Sequence, residues 1–145
     1  MEWKIFPATK EDYYSMLDYV LNAAAEFGVS DKQQIYLELG FEEAATNIIN
    51  YAYGEKVGEI SIRTYLEADH FFIELKDSGV AFNPLKMSDV KKPTDLENAK
   101  EGGLGISFMR RIFDDMSYHF GKDGDLFCNK LKLGMKLSKD AEGLL

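Results

Sequence analysis

The chain has 145 residues, of which 46% are hydrophobic and 13% aromatic, so it is long and apolar enough for one globular domain and is not a disordered segment. Its formal net charge of −8 works against sequence-independent binding to nucleic acid or to an anionic membrane, because both need clustered Lys and Arg. A single cysteine excludes an internal disulfide and any metal site built from several cysteines.

The N-terminal segment MEWKIFPATKEDYY has neither the basic region nor the apolar stretch of a leader peptide. No later run approaches the roughly 18 apolar residues of a membrane span, so we predict a cytoplasmic protein without a membrane partner. Residues 2–8 are rich in β-forming types and predict a first strand. Apolar residues then recur at helical spacing from Tyr13 to Phe27, and Gly28 marks the end of a first helix.

A second helix is predicted to begin at Ser30, which forms a capping-box pattern with Gln33 three positions later. Two polar side chains, Glu43 and Asn47, interrupt its apolar face. Residues four apart lie on the same face of a helix, so this carboxylate and this carboxamide point in one direction. Taken alone, the pair fits a solvated stripe as well as it fits a functional site.

The region after the second helix predicts a hairpin and then a long loop. Residues 59–79 alternate around Ala68 and Asp69, which indicates two strands, the second ending near Asp77. Residues 80–103 show no clean period and contain two prolines and mixed charges. A loop of this length inside a compact domain is usually a functional lid, a disordered linker or a wrong assignment of its elements.

The last third of the chain predicts one more helix and two more strands. Helical spacing resumes through Ile106, Met109, Phe113 and Met116, and residues 117–139 form two strand-like runs around a Lys-Asp-Gly turn. The strands come mostly as hairpins. We therefore predict an α+β fold in which a mainly antiparallel sheet carries the helices on one face.

Several chemically tempting residues have simpler structural interpretations. Cys128 lies in a strand-like stretch and is predicted to be a buried core residue rather than a reactive thiol. His70 and His119 have no second histidine or cysteine at metal-ligand spacing, so we assign neither to chemistry. Arg110 and Arg111 are predicted to lie on a solvated face of the third helix, with contact to a partner as the alternative.

Three short motifs occur in order along the chain: EEAATN with Glu43 and Asn47, DSGVAFNP at 77–84, and EGGLGISFMRRIFDDM at 101–116. Singly, each is weak, since DSG is common in turns and GGLG before helices. In this order they resemble the N box and the two glycine boxes of the GHKL ATPase superfamily, and most closely its anti-sigma-factor serine/threonine kinases. The resemblance covers nearly the whole chain. It implies one histidine-kinase-like ATPase domain, 1–145, with the Bergerat fold: a two-layer α/β sandwich with a mixed, mainly antiparallel sheet.

The resemblance implies that ATP lies between the second helix, a lid at about residues 83–103, and the third helix. Asn47 would give an amide oxygen to Mg²⁺, a hard cation that prefers oxygen ligands, without adding negative charge beside the triphosphate. Glu43, one helical turn away, would act as the general base for a serine hydroxyl or would orient a water.

The first glycine box would hold the adenine. Asp77 would accept a hydrogen bond from the adenine amino group, although an aspartate at this place is also typical of a simple turn. Gly79 would let the backbone turn tightly and approach the base. Phe82 and Pro84 would form the pocket wall and the hinge of the lid.

The second glycine box would bind the phosphates through backbone amides at a helix N-terminus. Its residues are Gly102, Gly103, Leu104 and Gly105. Lys100 is the candidate cation for the β- or γ-phosphate, with a solvated lid lysine as the alternative. Two positions depart from some family members: Tyr51 stands where they have histidine, and Lys100 followed by acidic Glu101 stands where they have arginine. Both departures concern kinase turnover rather than nucleotide binding.

The resemblance implies an ATP- and Mg²⁺-dependent protein serine/threonine kinase that regulates transcription by partner switching. Its substrate would be a STAS-like anti-sigma antagonist, its other partner a sigma factor, and it would form a homodimer. The alternative is a nucleotide-gated binding module that sequesters a partner without significant kinase activity. Glu43 favours the kinase, because binding alone needs no general base, but the same residue would also serve an ATP-hydrolysing switch.

Overall fold

The computed structural model of the protein describes residues 2–86 and 104–138. The predicted site residues Lys100, Gly102 and Gly103, and most of the predicted lid, lie outside the described residues. The elements in chain order are β1 (Lys4–Pro7), α1 (Tyr13–Glu26), α2 (Asp31–Tyr51), β2 (Glu59–Glu67), β3 (His70–Asp77), one 3₁₀ turn (Pro84–Lys86), α3 (Leu104–Ile112), β4 (Asp115–Asp123) and β5 (Leu126–Lys136). Within these ranges, no helix has the length and apolar character that crossing a membrane requires.

The five described strands form one sheet in the order β1-β2-β3-β5-β4. All four pairings between them are antiparallel, so no parallel pair contributes to the described part of the sheet. Alternate residues of β3 and β5 point toward the helices and form the core with α1, α2 and α3. This arrangement confirms the predicted α+β fold, with helices on one face of a mainly antiparallel sheet.

Helix α1 forms because its apolar residues recur on one face, which is buried against the sheet and α2. Gly28, with a φ of 97°, ends the helical run as predicted, since this left-handed conformation suits glycine best. Phe27 was predicted to lie on the same apolar face, but it follows the last helical turn and remains 36% exposed.

Helix α2 begins with the predicted capping box. The Ser30 hydroxyl accepts a hydrogen bond from the Gln33 backbone amide at 3.1 Å, and the Gln33 side chain accepts one from the Ser30 amide at 3.5 Å. The Gln33 amide group also donates to the Lys136 carbonyl at 2.8 Å and accepts from the Ser138 amide. The cap therefore anchors α2 to the end of β5 as well as starting the helix.

The predicted extension of the third helix to Met116 is wrong. Helix α3 ends at Ile112, and Met116 lies in β4, where it pairs with Leu133. An apolar residue three positions after Phe113 fits an inward strand position as well as a helix face, so spacing could not separate the two. Phe113 itself packs against Gly40 of α2, where an added Cβ would lie 2.7 Å from its ring.

The turn of the last hairpin begins two residues later than predicted. Lys122 and Asp123 still belong to β4, paired with Phe127 and Leu126, and the turn is formed by residues 124–125. Gly124, with a φ of 68°, supplies the left-handed conformation that this tight turn requires.

The sheet face away from the helices is polar and partly open. Cys128 lies on this face, one residue out of phase with the inward-facing Asn129 and Leu131, and it is half-buried. The prediction that Cys128 is a buried core residue is therefore wrong. Strand alternation, rather than residue type, decides which side chains of β5 enter the core.

Candidate functional site

A small cavity lies at the C-terminal end of β3, between α2 and the sheet. Three predicted site residues, Asn47, Asp77 and Phe82, line it together with Pro84. They come from α2, β3 and the loop that follows β3. The fold therefore brings the N box and the first glycine box to one place, although about 30 residues separate them in sequence.

Asp77 is the buried carboxylate of this cavity. Its Oδ1 atom accepts hydrogen bonds from the Gly79 amide and from the Asn129 side-chain amide, both at 2.9 Å. Among the described residues, none donates a hydrogen bond to Oδ2. Burial raises the pKa of Asp77, and the two hydrogen bonds offset only part of that increase. The described residues thus fix one carboxylate oxygen and leave the other without a donor.

Asn129 organises the cavity and was missed by the sequence analysis. Besides binding Asp77, its amide group donates to the Val80 carbonyl at 2.9 Å, and its Oδ1 accepts from the Phe82 amide at 3.1 Å. The Tyr118 hydroxyl also donates to Oδ1. Asn129 consequently holds both the carboxylate and the backbone of the loop after β3.

A signal for Asn129 was present in the sequence. The inward positions of β5 are occupied by Asn129, Leu131, Leu133 and Met135. A lone asparagine in the inward register of an otherwise apolar strand needs buried hydrogen-bond partners, which marks it as part of a polar site. The signal becomes readable only once the strand's register is known.

Gly79 is required by close packing. A Cβ atom at this position would lie 2.1 Å from the carbonyl oxygen of Ala52, the residue that follows α2. The next amide, that of Val80, donates to the same carbonyl at 2.8 Å. Gly79 does not have a positive φ, so its need for glycine comes from contact with the end of α2. The approach of the Gly79 backbone to the adenine base stays a prediction.

Asn47 is buried, and its side-chain amide makes no hydrogen bond to any described residue. Among the described residues, the fully buried and unpaired side-chain polar atom is Arg63 Nε, so the Asn47 amide is not sealed in the core. It lies open to the cavity that Asn47 lines, where a ligand can reach it. Glu43 lies one helical turn earlier, is half-buried and does not line the cavity. Burial, followed by the neighbouring charge of Glu42, raises the pKa of Glu43 and makes its carboxylate a stronger base.

The second glycine box leads directly into α3. Leu104 is the first residue of this helix and Gly105 the second, as the predicted phosphate-binding helix N-terminus requires. Helix α3 is tied to the loop after β3, because the Arg110 guanidinium donates to the Leu85 carbonyl at 2.8 Å. Arg110 is exposed as predicted, but it has this structural contact as well.

Comparisons of the sequence with known proteins identify the family of this chain. Residues 6–133 match the histidine kinase-like ATPase domain family. The chain is 34% identical over 125 residues to serine-protein kinase RsbW of Bacillus mycoides, covering 80% of this chain and 74% of that protein, and RsbW of Bacillus cereus gives the same values. Among solved structures, it is similar to the Acinetobacter baumannii histidine kinase AdeS, with a TM-score of 0.42 and 14% identity, over 93% of this chain and 68% of that one.

The family match covers nearly all of the chain, from β1 into β5. The match to the RsbW proteins includes most of their length as well as most of this chain. The family indicated by the three motifs is confirmed. The chain belongs to the histidine kinase-like ATPases of the GHKL superfamily and, within them, to the anti-sigma-factor serine kinases.

Proposed function

We propose that this chain is an ATP- and Mg²⁺-dependent protein serine/threonine kinase that regulates transcription by partner switching. It phosphorylates a STAS-like anti-sigma antagonist and sequesters a sigma factor, as a cytoplasmic homodimer. The relatives named serine-protein kinase support the reaction class. The observation that carries the proposal is that the Asn47 amide, to which no described residue forms a hydrogen bond, lines the same cavity as Asp77.

In this proposal Asp77 recognises the adenine. Its Oδ2 atom accepts a hydrogen bond from the exocyclic amino group, while Asn129 and the Gly79 amide fix Oδ1. The cavity has about 30 Å³, room for about two waters, so a purine enters only when its wall opens. Val80 and Phe82 can open it by side-chain rotation, because they are 65% and 38% exposed while Asn129 holds the backbone between them.

Asn47 is the residue that fits Mg²⁺ beside this cavity. Its amide oxygen is a suitable hard ligand, and a neutral side chain adds no charge that would repel a triphosphate. When bound, Mg²⁺ would neutralise phosphate charge and align the group to be transferred. The backbone amides at the start of α3 are the remaining groups for the phosphates.

Glu43 takes the proton in the transfer step. The substrate hydroxyl oxygen forms a bond to the γ-phosphorus while the bond to the bridging oxygen breaks, so ADP leaves and the hydroxyl proton passes to the Glu43 carboxylate. The raised pKa of Glu43 brings it closer to the value at which a carboxylate accepts a proton at neutral pH.

The test is transfer from γ-labelled ATP to protein in a lysate of the source organism. Glu43→Gln is compared with wild type and with Glu38→Gln, the same change at an exposed position of α2. A small labelled protein should appear with wild type and Glu38→Gln. Glu43→Gln should bind ATP normally but lose about 10² to 10⁴ of the transfer rate, the usual contribution of a general base.

Each other outcome selects a different function. Tight ATP binding without any labelled protein would replace the kinase by a nucleotide-gated binding module. Labelled phosphate released into solution without a protein band would indicate an ATP-hydrolysing switch. Transfer by Glu43→Gln at the wild-type rate would remove Glu43 from the role of base.

A further inference from the structure

The sheet face opposite the helices contains an open cleft of about 330 Å³. Its lining comes from Trp3 just before β1, Arg63 on β2, Lys76 on β3, Lys130 on β5 and His119 on β4. The cleft therefore crosses the full width of the sheet. Five strands about 4.8 Å apart span about 19 Å, the length of about six residues of extended chain.

The cleft is more positive than the rest of this acidic chain. Arg63 Nη2 pairs with Glu74 at 2.9 Å, and Lys76 Nζ pairs with Asp123 at 2.7 Å. Lys130 Nζ is 3.8 Å from Glu74, beyond hydrogen-bond distance, and its side chain is 40% exposed. Three cations thus share two carboxylates in a protein whose formal net charge is −8. The excess positive charge is concentrated on one face, where it favours an anionic partner.

Two features of the cleft are unfavourable for the isolated fold. Lys76 and Lys130 are directly opposite each other in the β3–β5 pairing, and like charges at such positions destabilise a sheet. Arg63 uses only Nη2 in a hydrogen bond, and its Nε is buried with no partner among the described residues. Carboxylates placed over the two lysines would relieve the repulsion between them.

Trp3 arranges the cations at one end of the cleft. The Arg63 guanidinium and the Lys76 ammonium both lie 4.3 Å from the centre of its ring. These cation–π contacts hold two flexible side chains next to each other. Less ordering of these side chains is then needed when a partner binds.

We propose that this cleft binds an extended acidic segment of a partner protein, with carboxylates paired to Lys130, Lys76 and Arg63. Alternate residues of an extended chain point to the same side, so every second acidic residue can face the cations. The site is separate from the nucleotide cavity, because Lys76 and the adjacent Asp77 face opposite sides of the sheet. The proposal goes beyond the kinase function and does not depend on it.

The probe is a fluorescein-labelled peptide of alternating Glu and Val, whose binding to the whole chain is measured by anisotropy without ATP. Lys130→Glu should weaken binding by about tenfold or more, and Lys130→Gln by less, because charge pairs of this kind govern docking. Lys10→Glu is the matched control, since it makes the same charge change at an exposed residue outside the cleft. It should change the affinity by less than about twofold.

The opposite results would overturn the proposal. One is equal binding of wild type and both Lys130 variants, when circular dichroism shows that all are folded. Another is equal binding of a peptide with Gln in place of Glu. Tighter binding of an oligonucleotide of the same charge, or self-association that Lys130→Glu abolishes, would assign the cleft to nucleic acid or to a second copy of the chain. Phosphoryl transfer is measured separately, so a failure here leaves the kinase proposal untouched.

Discussion

Two buried carboxylates on β3, Glu74 and Asp77, lie three residues apart and face opposite sides of the sheet. Glu74 is surrounded by complementary groups: Arg63 at 2.9 Å, the Tyr65 hydroxyl at 2.5 Å and Lys130 at 3.8 Å. Burial alone would raise the pKa of Glu74, but the hydrogen bonds from Tyr65 and Arg63 outweigh it and lower the pKa. The fold itself therefore satisfies this carboxylate.

Asp77 has no cation beside it among the described residues. Neutral amides of Gly79 and Asn129 occupy one oxygen, and burial keeps its pKa above the ordinary value. The described residues therefore bind both oxygens of the Glu74 carboxylate on one face of the sheet. On the other face, they bind only one oxygen of the Asp77 carboxylate. The difference is the basis for expecting that Glu74 stabilises the sheet, and it supports the proposal that Asp77 binds the nucleotide.

The comparison predicts its largest stability effect at Glu74. Glu74→Ala should lower the free energy of unfolding by about 3 kcal/mol, because it leaves Arg63 and the Tyr65 hydroxyl without their buried partner. Urea unfolding measures the loss. Glu67→Ala, at an exposed position of β2, is the control. A loss no greater than that of the control would contradict the structural role of Glu74.

A smaller effect, with a characteristic pH dependence, is predicted at Asn129. Asn129→Asp places a second carboxylate 2.9 Å from Asp77 Oδ1, which should cost about 2 kcal/mol at pH 7.5. The pair then shares a proton and its folded-state pKa rises, so the stability should recover as the pH is lowered toward 5. Urea unfolding at both pH values measures this. Asn50→Asp, at an exposed position of α2, should show no such recovery.

The smallest effect is predicted for His70, which pairs with two surface carboxylates. Its Nε2 is 2.6 Å from Asp114 and its Nδ1 is 2.9 Å from Asp69, so only the protonated ring donates to both. The hydrogen bond to Asp114, more than any other contact, raises the pKa of His70 above 6.5. The stabilisation is complete below pH 6.5 and is lost as the pH rises through the raised folded-state pKa.

Thermal unfolding at pH 5.5 and 8.5 tests this prediction. His70→Asn should remove a stabilisation that wild type shows at the lower pH. His119→Asn, which changes the other histidine of the chain, should leave it intact. Loss of the pH dependence in both variants, or in neither, would contradict the contribution of the Asp69–His70–Asp114 contact.

The sequence predicted those features whose signal is local. The capping box at Ser30, the glycine stop after α1 and the hairpin turn at Ala68 all depend on residues close in sequence, and all are confirmed. The predicted end of α3 is wrong, and the last turn is misplaced, since Gly124 lies in it as predicted but Lys122 and Asp123 belong to β4. There, Met116 and Lys122 have local patterns that fit two different structures, and pairing with β5 decides between them.

The site was predictable only in part, for the same reason. Motif spacing identified Asn47 and Asp77, which the fold brings to one cavity. Asn129 was not predicted, because its role depends on hydrogen bonds to residues about 50 positions away in sequence. The close packing that requires glycine at position 79 was not predicted either, since it involves the carbonyl of Ala52 at the end of another element.

The most direct test of the difference between the two carboxylates is calorimetric titration of Asp77→Asn and Glu74→Gln with ATP and Mg²⁺. Asp77→Asn keeps the oxygen that accepts from Asn129 and replaces only Oδ2, the atom proposed to face the ligand. Its affinity for ATP should fall about tenfold to hundredfold, because one hydrogen bond to a charged group is lost. Glu74→Gln should be less stable but should bind ATP within about twofold of wild type. Unchanged affinity in Asp77→Asn, or an equal loss in both, would contradict the assignment of Asp77 to the nucleotide.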